Sequence, residues 1–262
     1  MARQVRKESP TGYYHVMQRG VGKQILFEDS SDYERYINKL QECKNNLNFR
    51  LCAYCLMNNH VHMLIHVEEI ETLSKLMQKI GNHYAFYYNL KYDHAGHVFQ
   101  NRYRSEPIVD LSHFLACVRY IHNNPVKAFL GTRESYEWSS YKDYLRKKDD
   151  RSGTVDKFSA RTLTDTTTIM EVLKTVEEFK AFSATADDRV FIDVEVNTAT
   201  CATGQKIIRK HFGNDFENSL MVKQLRVEER NAIIREMKSA GMNNHQIELV
   251  TGVSRKLVGR IK

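Results

Sequence analysis

The stretch that decides the fold runs from residue 49 to residue 67 and reads FRLCAYCLMNNHVHMLIHV. Two largely apolar segments, Phe49–Met57 and His60–Val67, predict two strands, and Asn58-Asn59 between them is a turn signal. A connection this short leaves no room for a helical crossover between parallel strands. The two strands should therefore form an antiparallel hairpin.

Strands and helices are predicted on both sides of this hairpin, from the apolar periodicity of each segment. They are a strand at Thr11–Arg19, a helix at Ser30–Asn48 that Ser31 could cap, a long helix from Thr72 to about Tyr92, a strand at His97–Val109 and a helix at Leu111–Asn123. Pro125 should end or kink the last helix, because proline lacks the N–H that a helix needs. The order predicts an α+β fold of the ferredoxin-like, split βαβ type: one antiparallel sheet with helices packed on a face.

The remainder of the chain predicts a linker and a second, small all-α domain. Residues 146–203 are rich in charged residues, Ser and Thr, with one short amphipathic helix at residues 169–182. Residues 204–262 predict helices at 227–240, 244–250 and 254–261, and the spacing around Gly252 matches a helix-turn-helix. Glu248 stands where that motif usually has a small residue, and a partner-binding three-helix domain is the alternative. The predicted domains are thus 1–145, 146–203 and 204–262.

Composition favours an intracellular, nucleic-acid-binding protein. The net charge is +7 and the pI about 9.0, which suits a polyanionic partner such as nucleic acid. Five cysteines, an odd and sparse set, argue against a disulfide framework and fit a reducing cytosol. Cys52 and Cys55 form a C-x-x-C that we interpret as part of a buried strand. With no secretory signal and no apolar run near the ~20 residues that span a bilayer, we expect a cytoplasmic protein without a membrane partner.

Two histidines on the third predicted strand are candidate metal ligands. Residues two apart on a strand point the same way, so His60 and His62 present two imidazoles on one face, which is half of a metal site. A purely structural pair is the alternative. The following helix offers Tyr120 and Asn124, one helical turn apart. If this helix packs beside the strand, the Asn124 side-chain oxygen can complete the ligand set and Tyr120 lies next to the metal. A packed aromatic residue and a helix C-cap are the alternatives for these two.

These segments resemble a known family. His60-Val61-His62 is similar to the His-hydrophobe-His (HUH) motif of single-strand DNA nucleases. RYIHNNPV at residues 119–126 resembles the catalytic tyrosine helix of single-tyrosine HUH transposases, the insertion-sequence (IS200-like) and REP-associated tyrosine transposases. YYHVMQRG at residues 13–20 and FQNRYR at residues 99–104 resemble their first and fourth strands. The resemblance covers about residues 10–145.

The resemblance implies a transposase-type enzyme that cuts and joins single-stranded DNA, near a hairpin. Tyr120 would attack phosphorus to give a 5′-phosphotyrosine and a free 3′-OH, beside Mg²⁺ or Mn²⁺ held by His60, His62 and Asn124. Imidazole ligands suit Mn²⁺ better than Mg²⁺, and the resemblance allows either ion. His122 and His66 are candidates for the base that activates Tyr120. Relatives include both monomers and domain-exchanged homodimers, so either state is open.

Basic residues are the expected phosphate partners. In the transposase-like part they are Arg19, Lys23, Arg102, Arg104 and Lys127, and in the helix-turn-helix they are Arg255, Lys256 and Arg260. Solvated surface charge is the alternative for each of them.

Three other functions compete with the transposase prediction. A DNA-binding regulator could keep the fold without catalysis, although the complete set of His60, His62, Tyr120 and Asn124 favours an enzyme. A rolling-circle replication initiator or relaxase shares the HUH motif but resembles this chain less in the tyrosine helix. An unrelated metal hydrolase is disfavoured because acidic residues are scarce around the histidine pair.

Overall fold

The computed structural model describes residues 6–146, 163–185, 189, 191, 198–212 and 221–261. Its first seven main elements are β1 (Tyr13–Arg19), α1 (Ser30–Asn46), β2 (Arg50–Met57), β3 (His60–His66), α2 (Ile70–Tyr92), β4 (Arg104–Pro107) and α3 (Leu111–Lys127). The four strands form one sheet in the order β2-β3-β1-β4, and every neighbouring pair is antiparallel. This is the split βαβ arrangement, so the ferredoxin-like prediction is confirmed.

The sheet has one face packed into an apolar core and one face that carries polar side chains. Val16, Val61, Met63 and Ile65 are buried in the core together with apolar residues of α1 and α2. Because side chains alternate along a strand, the residues between them point to the other face. His15, His60 and His62 lie on that face and are nevertheless buried.

The fourth strand is much shorter than predicted, four residues instead of the expected 97–109. Residues before it bond to other backbone groups: Val98 O accepts from Val21 N at 2.9 Å, and Gln100 N donates to Arg19 O at 2.9 Å. The segment therefore closes over the turn that follows β1, where Gly20 and Phe99 form an isolated bridge. The long strand was predicted from apolar and aromatic content. Such residues can be buried without pairing along a continuous ladder of backbone hydrogen bonds, so the predicted strand was too long.

Two helix ends also differ from the prediction. The N-cap of α1 is Asp29, which accepts from Ser31 N at 2.9 Å, so the expected Ser31 cap is wrong. Asp32 supplies the reciprocal bond by accepting from Asp29 N at 3.2 Å. Helix α3 continues through Pro125 to Lys127, since Ala128 N still donates to Asn124 O at 2.9 Å.

The described chain divides into two compact units. The first comprises Met1–Asn123 and Glu137–Asp193, and the second Asn124–Tyr136 and Val194–Lys262. Of the predicted linker, residues 147–162, 186–188, 190 and 192–197 lie outside the described residues. The described portion forms two helices where one was expected, α4 (Thr167–Leu173) and α5 (Val176–Ala184), and both Ile169 and Phe179 are buried in the first unit.

The second unit is helical. Its elements are α6 (Thr198–Phe212), α7 (Met221–Gln224), α8 (Val227–Ser239), α9 (Asn244–Thr251) and α10 (Arg255–Arg260). Helix α9 ends at Gly252, whose left-handed φ of 69° suits glycine, and α10 begins three residues later. Ile247, Val253, Val258 and Ile261 are buried in the shared core, at the inward positions that the helix-turn-helix spacing predicts.

Two further properties of the described residues bear on function. None of their helices combines the length and apolar composition needed to cross a bilayer. Cys52 and Cys55 are free and buried, and burial raises the pKa of Cys52 to about 12. A thiol this reluctant to ionise is unsuited to redox exchange or metal binding.

Candidate metal and tyrosine site

The two histidines of β3 lie side by side on the polar face of the sheet. His60 is 3% and His62 0% exposed, and their ring centroids are 4.9 Å apart at an interplanar angle of 89°. Strand alternation produces this placement, because Val61 between them points into the core. The pairing with β1 adds Arg19 opposite His60 and Met17 opposite His62.

Helix α3 brings Tyr120 against this pair. The Tyr120 and His62 ring centroids are 5.5 Å apart, with the planes perpendicular. The side chain is 6% exposed, and its hydroxyl oxygen is buried. Asn124 follows one turn later on the same helix and is also buried. Its role as a ligand stays a prediction.

The ring nitrogens of His60 are arranged for metal binding. His60 Nδ1 lies 2.7 Å from Asn59 Oδ1, while Asn59 Nδ2 donates to Lys23 O at 3.3 Å. The amide oxygen can only accept, so His60 carries its proton on Nδ1 and keeps a lone pair on Nε2. That Nε2 is buried and has no hydrogen-bond partner within the described part of the chain. An orphaned lone pair of this kind fits a metal ligand.

The remaining ligands cannot come from a conventional cluster. Among the described residues, no group of three or more His, Cys, Asp and Glu side chains is placed to hold a metal ion. The donor set therefore fits two imidazoles completed by other oxygen atoms, such as a side-chain amide or a DNA phosphate. Mn²⁺ and Mg²⁺ both accept oxygen ligands, and Mn²⁺ tolerates the nitrogen pair better.

Two residues at this site were not anticipated as functional. His15 on β1 places its Nε2 3.0 Å from His62 Nδ1, and its ring centroid is 5.6 Å from that of Tyr120. Phe191, from the stretch expected to be a linker, packs on Tyr120 with ring centroids 4.8 Å apart. The alternation of β1 puts His15 on one face, but only the long-range β1–β3 pairing shows that this face is the one of His62.

Phe191 covers the tyrosine. It is itself buried and also contacts His15 at 5.7 Å between ring centroids. Further along α3, Asn123 donates to Ser183 O at 3.2 Å, so the chain around α5 lies along this helix.

The two predicted base candidates lie elsewhere. His122 bonds to Ser140 Oγ at 2.8 Å and packs on Tyr144 and Phe179. His66 packs on Tyr13 at the far end of β3, with ring centroids 4.6 Å apart. None of these contacts involves Tyr120, and a role of either ring as its base stays a prediction.

The five phosphate partners predicted for the transposase-like part of the sequence do not form one cluster. Arg19 and Arg104 project on the polar face, since their register partners are His60 and Met17. Arg102 lines a cavity of about 680 Å³ beside α2, together with Arg6 and Tyr103. Lys23 follows β1 in a short 3-10 turn. The remaining predicted partner, Lys127, belongs to the second unit, ends α3 and is exposed.

Comparison with known proteins gives one family match and one structure of similar fold. The family model described as "Transposase IS200 like" matches residues 9–124, which contain β1 to β4 and α3 through Asn124. Over these residues the chain is similar to IS200-like transposases. A solved structure of a REP-associated tyrosine transposase bound to a REP hairpin has the same fold, with a TM-score of 0.52 at 15% identity, covering 75% of this chain and 98% of that one. No curated protein matches the chain.

In the first unit, the buried state of His60 predicts that folding stability decreases in acid. Burial, followed by the charge of Arg19, lowers the pKa of His60 from 6.5 to about 3. Between pH 6.5 and about pH 3, His60 is protonated in the unfolded chain and neutral in the folded chain. The free energy of unfolding is therefore highest above pH 6.5 and decreases as the pH falls below that value. At pH 5 we expect a loss of about 2 kcal/mol from this group.

Urea unfolding of wild type and His60→Gln at pH 7 and pH 5 measures this effect. The chain's one tryptophan, Trp138, stacks on Tyr33 in the same core and gives a fluorescence signal for this unit. The variant should lose less stability between the two pH values than wild type does. Equal losses would show that His60 is not the group responsible.

In the second unit, the predicted phosphate partners differ in their bonding. Arg255 Nη2 and Nε lie 2.8 and 3.0 Å from Glu248 Oε2, and Arg255 N donates to Glu248 Oε1 at 2.8 Å. Glu248, the residue that departs from the usual motif, thus stabilises the start of α10 through its bonds to Arg255. Lys256 and Arg260 are exposed on the same short helix.

Proposed function

We propose that the transposase domain cleaves and rejoins single-stranded DNA through a 5′-phosphotyrosine on Tyr120. In this proposal His60, His62 and Asn124 hold a divalent metal ion beside the tyrosine. The observation that carries the proposal is the perpendicular contact of the Tyr120 and His62 rings, 5.5 Å apart. A tyrosine one ring away from a metal-binding imidazole can present its oxygen to a phosphate bound at the same ion.

The chemistry requires a bound, polarised phosphodiester and an activated hydroxyl. A divalent ion, when bound, would polarise the phosphate and offset the charge that builds up in the transition state. The Tyr120 oxygen forms a bond to phosphorus and gives up its proton, while the bond from phosphorus to the 3′ oxygen breaks and that oxygen is protonated. The protein–DNA ester conserves the phosphodiester, so attack by a second 3′-OH restores DNA and tyrosine without ATP.

The substrate is expected to be single-stranded DNA next to a hairpin. Arg19 and Arg104 supply positive charge on the face that carries the histidine pair, which supports a backbone path across that face. The structural relative of the same fold is described as bound to a REP hairpin, and this supports a hairpin as the partner. An IS200-like family match favours transposition or REP-element mobility over replication initiation or conjugative nicking.

A catalytically silent DNA-binding regulator is the second candidate. The observation that favours it is the buried hydroxyl of Tyr120 beneath Phe191. Such a protein would bind the same DNA without forming an ester. The two functions therefore differ in one measurable product, the covalent complex.

The deciding experiment incubates the full chain with single-stranded oligonucleotides that carry the hairpins flanking its own gene. A 3′-end label stays with the 5′-phosphotyrosine fragment, so the adduct appears as a shifted band on a denaturing gel. We expect this band with Mn²⁺ or Mg²⁺ and none with EDTA. If the chain binds the hairpins on a native gel but gives no denaturation-resistant band with any hairpin or either metal, the silent regulator would be supported instead.

We further propose that α9 and α10 bind DNA as a helix-turn-helix. The buried Ile247 and Val258 and the left-handed Gly252 support the motif, and the exposed Lys256 and Arg260 support phosphate contacts. Each lost phosphate contact reduces the slope of the logarithm of the binding constant against the logarithm of the salt concentration by about one.

The double variant Lys256→Ala/Arg260→Ala is therefore expected to weaken DNA binding about tenfold or more and to lower the salt slope by about two. Fluorescence anisotropy across a salt series measures both quantities. Lys210→Ala is the matched control, since it removes an exposed cation of the same unit that is paired with Glu236 at 2.8 Å. An equal effect of the control would indicate general charge attraction and not a helix-turn-helix.

A further inference from the structure

We propose that His15 and Glu106 are positioning residues that fix the ring tautomer of His62, so that its Nε2 lone pair is presented to the metal ion. The inference deepens the metal site of the proposed function and rests on it. It assigns a role to two side chains that are not part of the proposed ligand set.

The central observation is the contact between two buried imidazoles. His15 Nε2 and His62 Nδ1 are 3.0 Å apart, and the rings are nearly parallel, with an interplanar angle of 25°. Both residues are 0% exposed, so neither ring exchanges this contact for water. A hydrogen bond between two neutral imidazoles needs one N–H and one lone pair, which leaves only two arrangements.

The two arrangements have opposite consequences for a metal. If His62 Nδ1–H donates to His15, the lone pair of His62 is on Nε2, which can bind a metal ion. If His15 Nε2–H donates to His62, then His62 Nε2 carries the proton and cannot be a ligand. The tautomer of His15 therefore decides whether His62 is competent.

Glu106 favours the competent arrangement. Strand β4 pairs with β1 so that Glu106 lies opposite His15, and its Oε2 is 3.8 Å from His15 Nδ1. This distance exceeds a hydrogen bond, but a carboxylate near a buried ring still attracts an N–H dipole and repels a lone pair. His15 should thus carry its proton on Nδ1 and accept from His62 through Nε2.

The same logic operates at the neighbouring ligand. His60 has its Nδ1 held by Asn59 Oδ1 at 2.7 Å. In both His60 and His62, Nδ1 thus bonds to a neighbouring side chain. The Nε2 lone pairs of both rings are left to coordinate one ion. Outer partners of this kind orient metal-binding histidines, and their loss typically lowers metal affinity about 10- to 100-fold.

The test uses the metal-free full chain with ¹⁵N-labelled histidine rings, at mildly alkaline pH where free imidazole is neutral. Long-range ¹H–¹⁵N spectra report which ring nitrogen is protonated, and His62→Gln identifies the His62 signals. We expect a protonated Nδ1 on His62 in wild type. In His15→Phe, which keeps an aromatic ring but offers no acceptor, the proton should move toward Nε2, and Mn²⁺ affinity by calorimetry should fall about tenfold.

Two further variants separate positioning from structure. His15→Gln can place an amide oxygen near the former Nε2 and should restore most of the Mn²⁺ affinity. His66→Gln changes a histidine on the same face of β3, away from this network, and should leave the His62 tautomer and the affinity unchanged. Glu106→Gln should shift the tautomer in the same direction as His15→Phe, with a smaller loss of affinity.

A wild-type His62 protonated on Nε2, or a tautomer that does not respond to His15→Phe, would overturn the inference. If wild type shows the Nδ1–H form but binds no Mn²⁺, the metal site of the proposed function is wrong while the tautomer assignment stands. The NMR and calorimetric readouts thus distinguish the two failures.

Discussion

Tyr120→Phe is expected to abolish both the covalent protein–DNA complex and strand cleavage, by at least about a thousandfold, because it removes only the oxygen that we propose attacks phosphorus. The ring remains, so its contacts with His62 at 5.5 Å and Phe191 at 4.8 Å should persist. Hairpin affinity and thermal stability should therefore stay close to wild type. The measurement is the initial rate of adduct formation with a 3′-labelled hairpin oligonucleotide.

Tyr13→Phe provides the matched control for this result. It deletes a tyrosine hydroxyl on the same face of the sheet, one that lies 3.2 Å from Thr168 Oγ1 and whose ring packs on His66. Cleavage should survive this change. An adduct of undiminished rate in Tyr120→Phe would mean that another side chain is the nucleophile.

The local part of the architecture was predictable from the sequence. The short Asn58-Asn59 connection forces the β2–β3 hairpin, and strand alternation then places His60 and His62 on one face. Both steps use only neighbouring residues. The order of elements was sufficient for the split βαβ topology, because each strand and helix had a clear period.

The parts that depend on long-range pairing were not predictable. His15 was recognised only as part of a strand, because the register that sets it beside His62 joins residues far apart in the chain. The same holds for Glu106, which reaches His15 through the β1–β4 pairing. Phe191 gave no local signal at all, since its contact with Tyr120 depends on where the chain after α5 passes.

The start of α1 shows a subtler limit. Ser31 with Glu34 three residues on fits a capping-box pattern, and so does Asp29 with Asp32. The structure uses the second pair, because Asp32 can also bond to side chains of α2. Local patterns could not separate the two choices, which differ only in these tertiary contacts.

Those contacts predict that loss of the Asp32 side chain strongly destabilises the first unit. Its carboxylate is 0% exposed. It accepts from Glu28 N at 2.7 Å, Asp29 N at 3.2 Å, Tyr87 OH at 2.9 Å, Lys91 Nζ at 2.7 Å and Tyr92 OH at 2.7 Å. One buried carboxylate therefore joins the first turn of α1 to the last turns of α2. Asp32→Ala is expected to lower the free energy of unfolding by about 3–5 kcal/mol, since it leaves several partly buried donors without this acceptor.

Urea unfolding followed by Trp138 fluorescence measures this change within the unit concerned. Asp29→Ala is the matched control: Asp29 shares Lys91, at 2.8 Å, but is exposed, so only a cap loss of about 1 kcal/mol is expected. Adding Lys91→Met to Asp32→Ala should recover part of the loss, because it removes the cation that has lost its buried partner and keeps the exposed Asp29. If Asp32→Ala costs no more than Asp29→Ala, the buried carboxylate is not what joins the two helices, and the apolar contacts of α1 and α2 carry that junction instead.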